Sequence, residues 1–194
     1  MDSMTRLMIN MTSIQKLCFR AAVCTVLIGC NYLGAQSPRV GPAELYPKAT
    51  ITPGKAETVD LDDLTAEWEC PSGDKVSCTY SQAHRSVSKK THDKVYDNYA
   101  VPPNKRNIKS GEVDHFDPLC NGGSNDIENL WYQPVKNPWN GKNFGYKEKD
   151  RLESWICVEV KAGRLKPKDA FDRLEADWVK FYMEVNPKKV KFHD

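Results

Sequence analysis

The spacing of apolar residues in the last third of the chain predicts two amphipathic helices. From Lys147 to Val160, apolar residues recur at three-to-four spacing, and Gly163 is placed to end this helix. Pro167 opens a second helix, because proline suits the first helical turn. One face of the second helix is predicted to lie in the core, and it consists of Phe171, Leu174, Trp178, Phe181, Tyr182 and Val185.

Shorter patterns before these helices predict one more helix and two strands. Ser88 is a suitable N-cap for a short helix that ends near Tyr99, before two prolines. Strands are predicted over 112–116 and 129–132, with the turn-rich sequence Asn-Gly-Gly-Ser-Asn-Asp between them at 121–126. The order strand, loop, strand, helix, helix predicts an α+β fold.

The first 35 residues show the order of features that is typical of an export signal. Lys16 and Arg20 precede an apolar run at 21–29, and small residues follow it. This run is too short to span a bilayer as a permanent helix. The prediction is export to a periplasmic or extracellular location, and a buried core helix is the alternative interpretation.

Two ways of processing this signal fit the sequence. The residues Leu-Ile-Gly-Cys at 27–30 resemble the lipobox of bacterial lipoproteins, in which Cys30 would be lipidated and anchor the chain to a membrane. Ordinary cleavage after Ala35 is the alternative. The next segment, 36–66, contains four prolines and few bulky apolar residues, which predicts an extended arm before a folded domain at 67–194.

The distribution of charge excludes one class of nucleic-acid-binding protein. The 194 residues fit one domain with an additional segment, and the formal net charge is +2. Beyond residue 35, basic and acidic side chains are equal in number, so the chain is not a histone-like protein that coats nucleic acid by bulk charge. Acids are concentrated at 56–74 and bases at 85–109 and 136–168, and solvated faces are the simplest explanation of such runs.

Four of the seven cysteines lie beyond the predicted signal, at positions 70, 78, 120 and 157. An even number in an exported chain predicts two disulfides. Three pairings are open, and the short spacing of the first two cysteines favours Cys70–Cys78 with Cys120–Cys157. A zinc knuckle is the weaker alternative, because no second cysteine lies within a few residues of Cys120 or Cys157.

Asp114 and His115 are the leading candidates for chemistry. A carboxylate is a hard oxygen ligand for a metal, and an imidazole titrates near neutrality. Adjacent residues of a strand point to opposite faces, so both side chains can serve one site only if the strand ends in a bulge or turn at this pair. Pro118 just beyond is consistent with such an end. An ordinary half-buried histidine is the alternative for an isolated Asp-His pair.

The sequence around this pair resembles the HNH, or ββα-metal, endonuclease family. The resemblance is carried by Asp-His at 114–115, Pro-Leu at 118–119, Gly-Gly-Ser-Asn-Asp at 122–126 and Asn-Leu-Trp at 129–131, and it extends over roughly 80–184. It implies a ββα-metal core of two short antiparallel strands and a helix, with flanking helices.

The resemblance also implies roles for individual residues. Asp114 would bind a divalent metal, and His115 would be the general base that takes a proton from the attacking water. Asn129 would hold His115, or the loop that carries it, in register. Arg85 and Lys149 are the predicted nucleic-acid contacts.

The chain departs from the family pattern at the third motif position, where many relatives have a metal-binding histidine. The best register places Lys147 there, and we group it with the catalytic residues as a phosphate contact. An ammonium has no lone pair for a cation, so a zinc site with three protein nitrogens is disfavoured and Mg²⁺ or Mn²⁺ is expected. Asp150 is a candidate second oxygen ligand, and an Asp–Arg pair on the helix surface is its alternative role.

These features predict an exported, metal-dependent endonuclease that cleaves DNA, with RNA as a further candidate substrate. Low sequence specificity is expected, since local basic segments suit contacts with the nucleic-acid backbone. The alternative is a non-catalytic envelope or DNA-binding protein on an HNH scaffold, which the lysine at position 147 motivates.

Overall fold

The computed structural model describes residues 39–57, 59–71, 73 and 77–187. The predicted export signal and its Cys30 lie outside these residues. Among the described residues, no helix is both long and apolar enough to cross a membrane.

The fold combines helices with two small antiparallel sheets, as the predicted α+β class requires. Strands β1 (Gly111–His115) and β2 (Leu130–Pro134) pair so that Asp114 lies opposite Trp131 and His115 lies opposite Leu130. A second hairpin, of β3 (Pro138–Trp139) with β4 (Lys142–Asn143), follows directly. In chain order the elements are α1 (Leu61–Thr65), α2 (Tyr80–His84), α3 (Lys89–Asn98), β1 (Gly111–His115), β2 (Leu130–Pro134), β3 (Pro138–Trp139), β4 (Lys142–Asn143), α4 (Tyr146–Lys161) and α5 (Pro167–Val185).

Local sequence signals account for the ends of the helices. The Ser88 hydroxyl accepts a hydrogen bond from the Thr91 backbone N–H at 3.1 Å, which caps α3 as predicted. Helix α4 ends just before Gly163, whose φ of +67° lies in the left-handed region that glycine adopts without strain. Pro167 occupies the first turn of α5.

The core lies between the β1–β2 sheet and the last two helices. Trp131 from β2 meets Trp178 from α5 edge to face, with ring centroids 6.4 Å apart. Leu152 and Ile156 of α4 are fully buried in the same cluster, as the helical periodicity predicts. Helix α4 is thereby held against the sheet, and this contact brings its first two turns close to the end of β1.

The described part of the proline-containing segment, 39–57 and 59–66, packs against this core rather than extending from it. Leu45 is 0% exposed and Tyr46 is 5% exposed. The Leu45 carbonyl accepts a hydrogen bond from the Trp178 indole at 2.7 Å, and the Tyr46 hydroxyl donates to Asp177 at 2.9 Å. The described backbone of this segment is irregular outside a 3₁₀ turn at Ala43–Leu45 and helix α1, and the segment packs against the folded domain.

Both predicted disulfides are present. Cys70 pairs with Cys78 and Cys120 pairs with Cys157, with Cα–Cα distances of 5.2 and 5.5 Å. Because all four of these cysteines are in disulfides, none of them is available as a ligand for a zinc knuckle. Two disulfides fit a non-reducing compartment, since cytosolic thiols are normally kept reduced.

We expect the loss of Cys120–Cys157 to destabilise the protein more than the loss of Cys70–Cys78. The first bridge closes a separation of 37 residues and the second a separation of 8, and a longer loop loses more conformational entropy when it is closed. A Cys120→Ala/Cys157→Ala variant should lose about 2–4 kcal/mol of unfolding free energy. Urea denaturation of the two double variants measures the difference, and equal midpoints would contradict the prediction.

Candidate functional site

A cleft of about 560 Å³ opens where β1 ends against α4. Its wall includes acidic side chains, His115, Arg85 and the Cys120–Cys157 bridge. The polar residues that line it include Arg85, Glu112, Asp114, His115, Asp150 and Glu153. The cleft therefore brings together four of the residues that the sequence predicted as site residues: Arg85, Asp114, His115 and Asp150.

Asp114 and His115 both line this cleft, and β1 ends at His115. The next residue, Phe116, is already outside the strand, and its backbone N–H donates to the Asn129 carbonyl at 2.7 Å. The chain then turns through Pro118 into a single turn of 3₁₀ helix at Leu119–Asn121. A strand end is thus present at the position that the sequence predicted, and both adjacent residues line one cleft.

Three carboxylates converge at the acidic end of the cleft. One oxygen from each of Glu112, Asp114 and Asp150 lies within 4.8 Å of the others. Asp114 is 9% exposed, and its Oδ2 is buried without a hydrogen-bond partner in the described structure. A buried carboxylate oxygen without a donor is unfavourable, so this cluster is chemically suited to an added cation.

Burial and the charge of Asp114 disfavour the charged forms of Glu112 and Asp150. Burial, and then the charge of Asp114, raises the pKa of Glu112 to about 8. The same two causes raise the pKa of Asp150 to about 6. The cluster therefore holds fewer negative charges near pH 7 than three isolated carboxylates would hold, and a bound divalent cation would favour their ionisation.

His115 is held at the wall of the cleft by Asn125. The imidazole Nε2 lies 3.1 Å from the Asn125 Oδ1. Burial lowers the pKa of His115, although the Asp114 charge and the Asn125 hydrogen bond oppose that effect. The neutral ring, which is the form that can accept a proton, is thus favoured near neutral pH.

Lys149 lies beneath the site and not on its surface. Its side chain is 0% exposed, and its ammonium donates to the His115 carbonyl at 3.2 Å and pairs with Glu153. Burial alone would lower the pKa of Lys149, but the charges of Glu153 and Asp114 outweigh it and the pKa is raised. The structure contradicts the predicted nucleic-acid contact, because a buried ammonium with two internal partners does not face a phosphate.

Asn129 is also buried, and it organises the loop after β1. Its Oδ1 accepts a hydrogen bond from the Asp117 N–H, and its Nδ2 donates to the carbonyls of Asp117 and Ser124, each at 2.9 Å. The side chain makes these bonds with 0% exposure, away from the lining of the cleft. It bonds to the loop that follows His115, not to the imidazole itself.

Lys147 lies outside the cleft. It is an exposed residue in the first turn of α4, and its ammonium lies 5.9 Å from the centroid of the Tyr146 ring. The position nearest the other two carboxylates is instead that of Asp150, three residues later on the same helix. The surface ion pair considered for Asp150 is made by a different acid, since Arg151 pairs with Glu148.

Three residues of this site were not predicted from the sequence: Glu112, Asn125 and Glu153. Glu112 precedes Asp114 by two positions on the same strand, so the alternation of strand side chains places both on one face. That two-residue spacing was the feature of the sequence from which Glu112 could have been predicted as a site residue. Asn125 lies in a turn-rich loop, and nothing in the local pattern indicated that its side chain would reach His115.

Comparisons with protein-family models, with curated proteins and with solved structures found no match, so the chemical interpretation of this cleft depends on its geometry.

Proposed function

We propose that this protein is an exported, metal-dependent endonuclease of the HNH type, which hydrolyses phosphodiester bonds of DNA with little sequence specificity. The observation that carries the proposal is the cleft, where a buried imidazole, three carboxylates and an arginine lie together. In this interpretation β1, β2 and α4 form the ββα-metal core that the sequence resemblance implies.

The carboxylate cluster suits a hard divalent cation. Asp114, Glu112 and Asp150 would hold Mg²⁺ or Mn²⁺, because these ions prefer oxygen ligands. The buried Asp114 Oδ2 that lacks a hydrogen-bond donor is the structural reason for this assignment. When bound, such a cation neutralises charge that develops on the phosphate and its leaving oxygen.

The protein's own side chains supply the other functions that hydrolysis requires. His115, neutral because of its burial, would take the proton from an attacking water. Arg85 is exposed and lines the same cleft, so its guanidinium can contact a phosphate oxygen. Such a contact fixes the nucleic-acid backbone without reading its bases, which is consistent with low specificity.

Export is part of the proposal. The basic residues and apolar run before residue 35 have the order of a signal, and the two disulfides fit a non-reducing compartment. Lipidation at Cys30 and ordinary cleavage after Ala35 remain the two processing routes to compare. Mass measurement of the exported protein distinguishes them, because only lipidation adds acyl chains to Cys30.

A plasmid assay tests the proposed activity. We expect the purified protein to nick and linearise supercoiled plasmid with Mg²⁺ or Mn²⁺, to stop when a chelator is added, and to show little activity with Zn²⁺ alone. The same assay with single-stranded DNA and with RNA measures which nucleic acid the protein prefers to cleave. Binding of DNA without cleavage under all metal conditions would favour the non-catalytic alternative instead.

We expect Asp114→Asn to raise the magnesium concentration needed for half-maximal cleavage by at least about tenfold. Even the loss of a residue that only hydrogen-bonds to a metal ligand lowers metal affinity by about that factor. The substitution removes a charge at the centre of the cluster. Asp172→Asn is the matched control, because Asp172 lies on the exposed face of α5 in a surface ion pair with Lys168. Equal magnesium dependence in both variants would exclude Asp114 as a ligand.

A further inference from the structure

The side chain of Asn125 connects the imidazole to a second segment of the chain. Besides its contact with His115, the Asn125 Nδ2 donates to the His84 carbonyl at 2.8 Å. The Asn125 Oδ1 also accepts a hydrogen bond from the Ser86 backbone N–H at 3.3 Å. The two ends of one amide are therefore occupied by the backbone on either side of Arg85.

These two backbone contacts fix the orientation of the amide. A carbonyl oxygen can only accept a hydrogen bond, so the group that faces His84 must be the NH₂. A backbone N–H can only donate, so the group that faces Ser86 must be the oxygen. Rotating the amide by 180° would place oxygen against oxygen and nitrogen against N–H. The atom that faces His115 is therefore the Asn125 oxygen.

The orientation of the amide in turn determines the tautomer of the histidine. An oxygen at 3.1 Å from Nε2 needs a donor, so the neutral ring carries its hydrogen on Nε2. Its Nδ1 then has a free lone pair. The described residues offer Nδ1 no hydrogen-bond partner, and His115 lines the cleft.

We propose that Asn125 is a positioning residue that holds His115 in the Nε2–H tautomer, so that Nδ1 is the atom that accepts the proton of the attacking water. The assignment of the base nitrogen rests on the proposed function, whereas the hydrogen bond and the tautomer do not. The same side chain also fixes the backbone on both sides of Arg85. Asn125 thus keeps the base and the phosphate-binding arginine in a constant relative position.

The tautomer can be measured without any activity assay. We would record two-dimensional ¹⁵N–¹H spectra of the histidine rings in the full-length protein at a pH where the imidazole is neutral. The protein has four histidines, and loss of one ring pattern in His115→Gln assigns the signals. We expect a protonated Nε2 and an unprotonated Nδ1 in the wild-type protein. A protonated Nδ1 would overturn the proposal.

Variants of Asn125 then test whether this residue imposes the tautomer. We expect Asn125→Ala to lose the fixed tautomer and to reduce kcat about 10–100-fold with little change in KM, as is typical when an orienting partner is removed. Asn125→Asp keeps an acceptor for His115 and should keep the Nε2–H tautomer. If Asn125→Ala leaves both the tautomer and kcat unchanged, Asn125 has no positioning role.

A matched control separates positioning from stability. Asn107 also uses its amide for local backbone contacts, donating to the Asn104 carbonyl and accepting from the Lys109 N–H at 3.1 Å each, and it is exposed. Asn107→Ala should leave the tautomer and kcat unchanged. If the wild-type protein fails to cleave plasmid under every metal condition, the proposed function fails, and the spectra still decide whether Asn125 holds His115.

Discussion

His115→Ala is expected to reduce the rate of plasmid cleavage by about 10²–10⁴, which is the usual contribution of a positioned general base. A base acts on the proton that moves in the transition state, so its removal should lower kcat and leave DNA affinity close to that of the wild-type protein. Cleavage of supercoiled plasmid under single-turnover conditions gives the rate. Binding of a labelled duplex without divalent metal gives the affinity.

The appropriate control is a histidine outside the cleft. His92 lies on α3 and is not among the residues that line the cleft, so His92→Ala should cleave at the wild-type rate. Both variants should unfold near the wild-type temperature if the effect is chemical. If His115→Ala cleaves as fast as His92→Ala, the histidine is not the base, and a binding protein on this scaffold becomes the better interpretation.

The sequence predicted the elements that carry their own local signal. The Ser88 cap, the Gly163 end and the apolar stripe through Leu152 and Ile156 each depend on residues close together in the chain, and the helices lie where these signals place them. The disulfides were predicted because four cysteines allow only three pairings, and the short spacing of Cys70 and Cys78 favours one of them. The packing of Leu45 and Tyr46 had no such signal, because their partners lie on α5, more than 130 residues away.

The position of Lys147 outside the cleft has a similar explanation. Aligning the sequence with the family motif assigns Lys147 to the third motif position. Which side chain faces β1, however, depends on the rotation of α4 about its own axis. That rotation is set by the buried stripe, and Lys149 lies three residues before Leu152 on the same face. The helical spacing therefore predicts that Lys149 lies on the buried face of α4. We predicted an exposed contact instead because the residue is charged.

Because Lys149 is buried, its substitution is expected to have a large effect on the stability of the protein. Lys149→Ala should lower the unfolding free energy by about 3–5 kcal/mol, because it leaves the half-buried Glu153 carboxylate without its cation. The substitution also removes the donor to the His115 carbonyl and leaves a cavity beneath β1. Urea denaturation measures the change.

Lys147→Ala is the matched control, since Lys147 lies on the same helix and is exposed, and its unfolding free energy should change by no more than about 0.5 kcal/mol. A Lys149→Met/Glu153→Gln variant should recover part of the loss, because it removes both charges of this ion pair together. A surface lysine that contacts phosphate would behave differently, with weaker DNA binding and unchanged stability. That result for Lys149→Ala would contradict the buried ion pair, whereas a large loss of stability confined to Lys149 would establish that this ammonium supports the strand carrying Asp114 and His115.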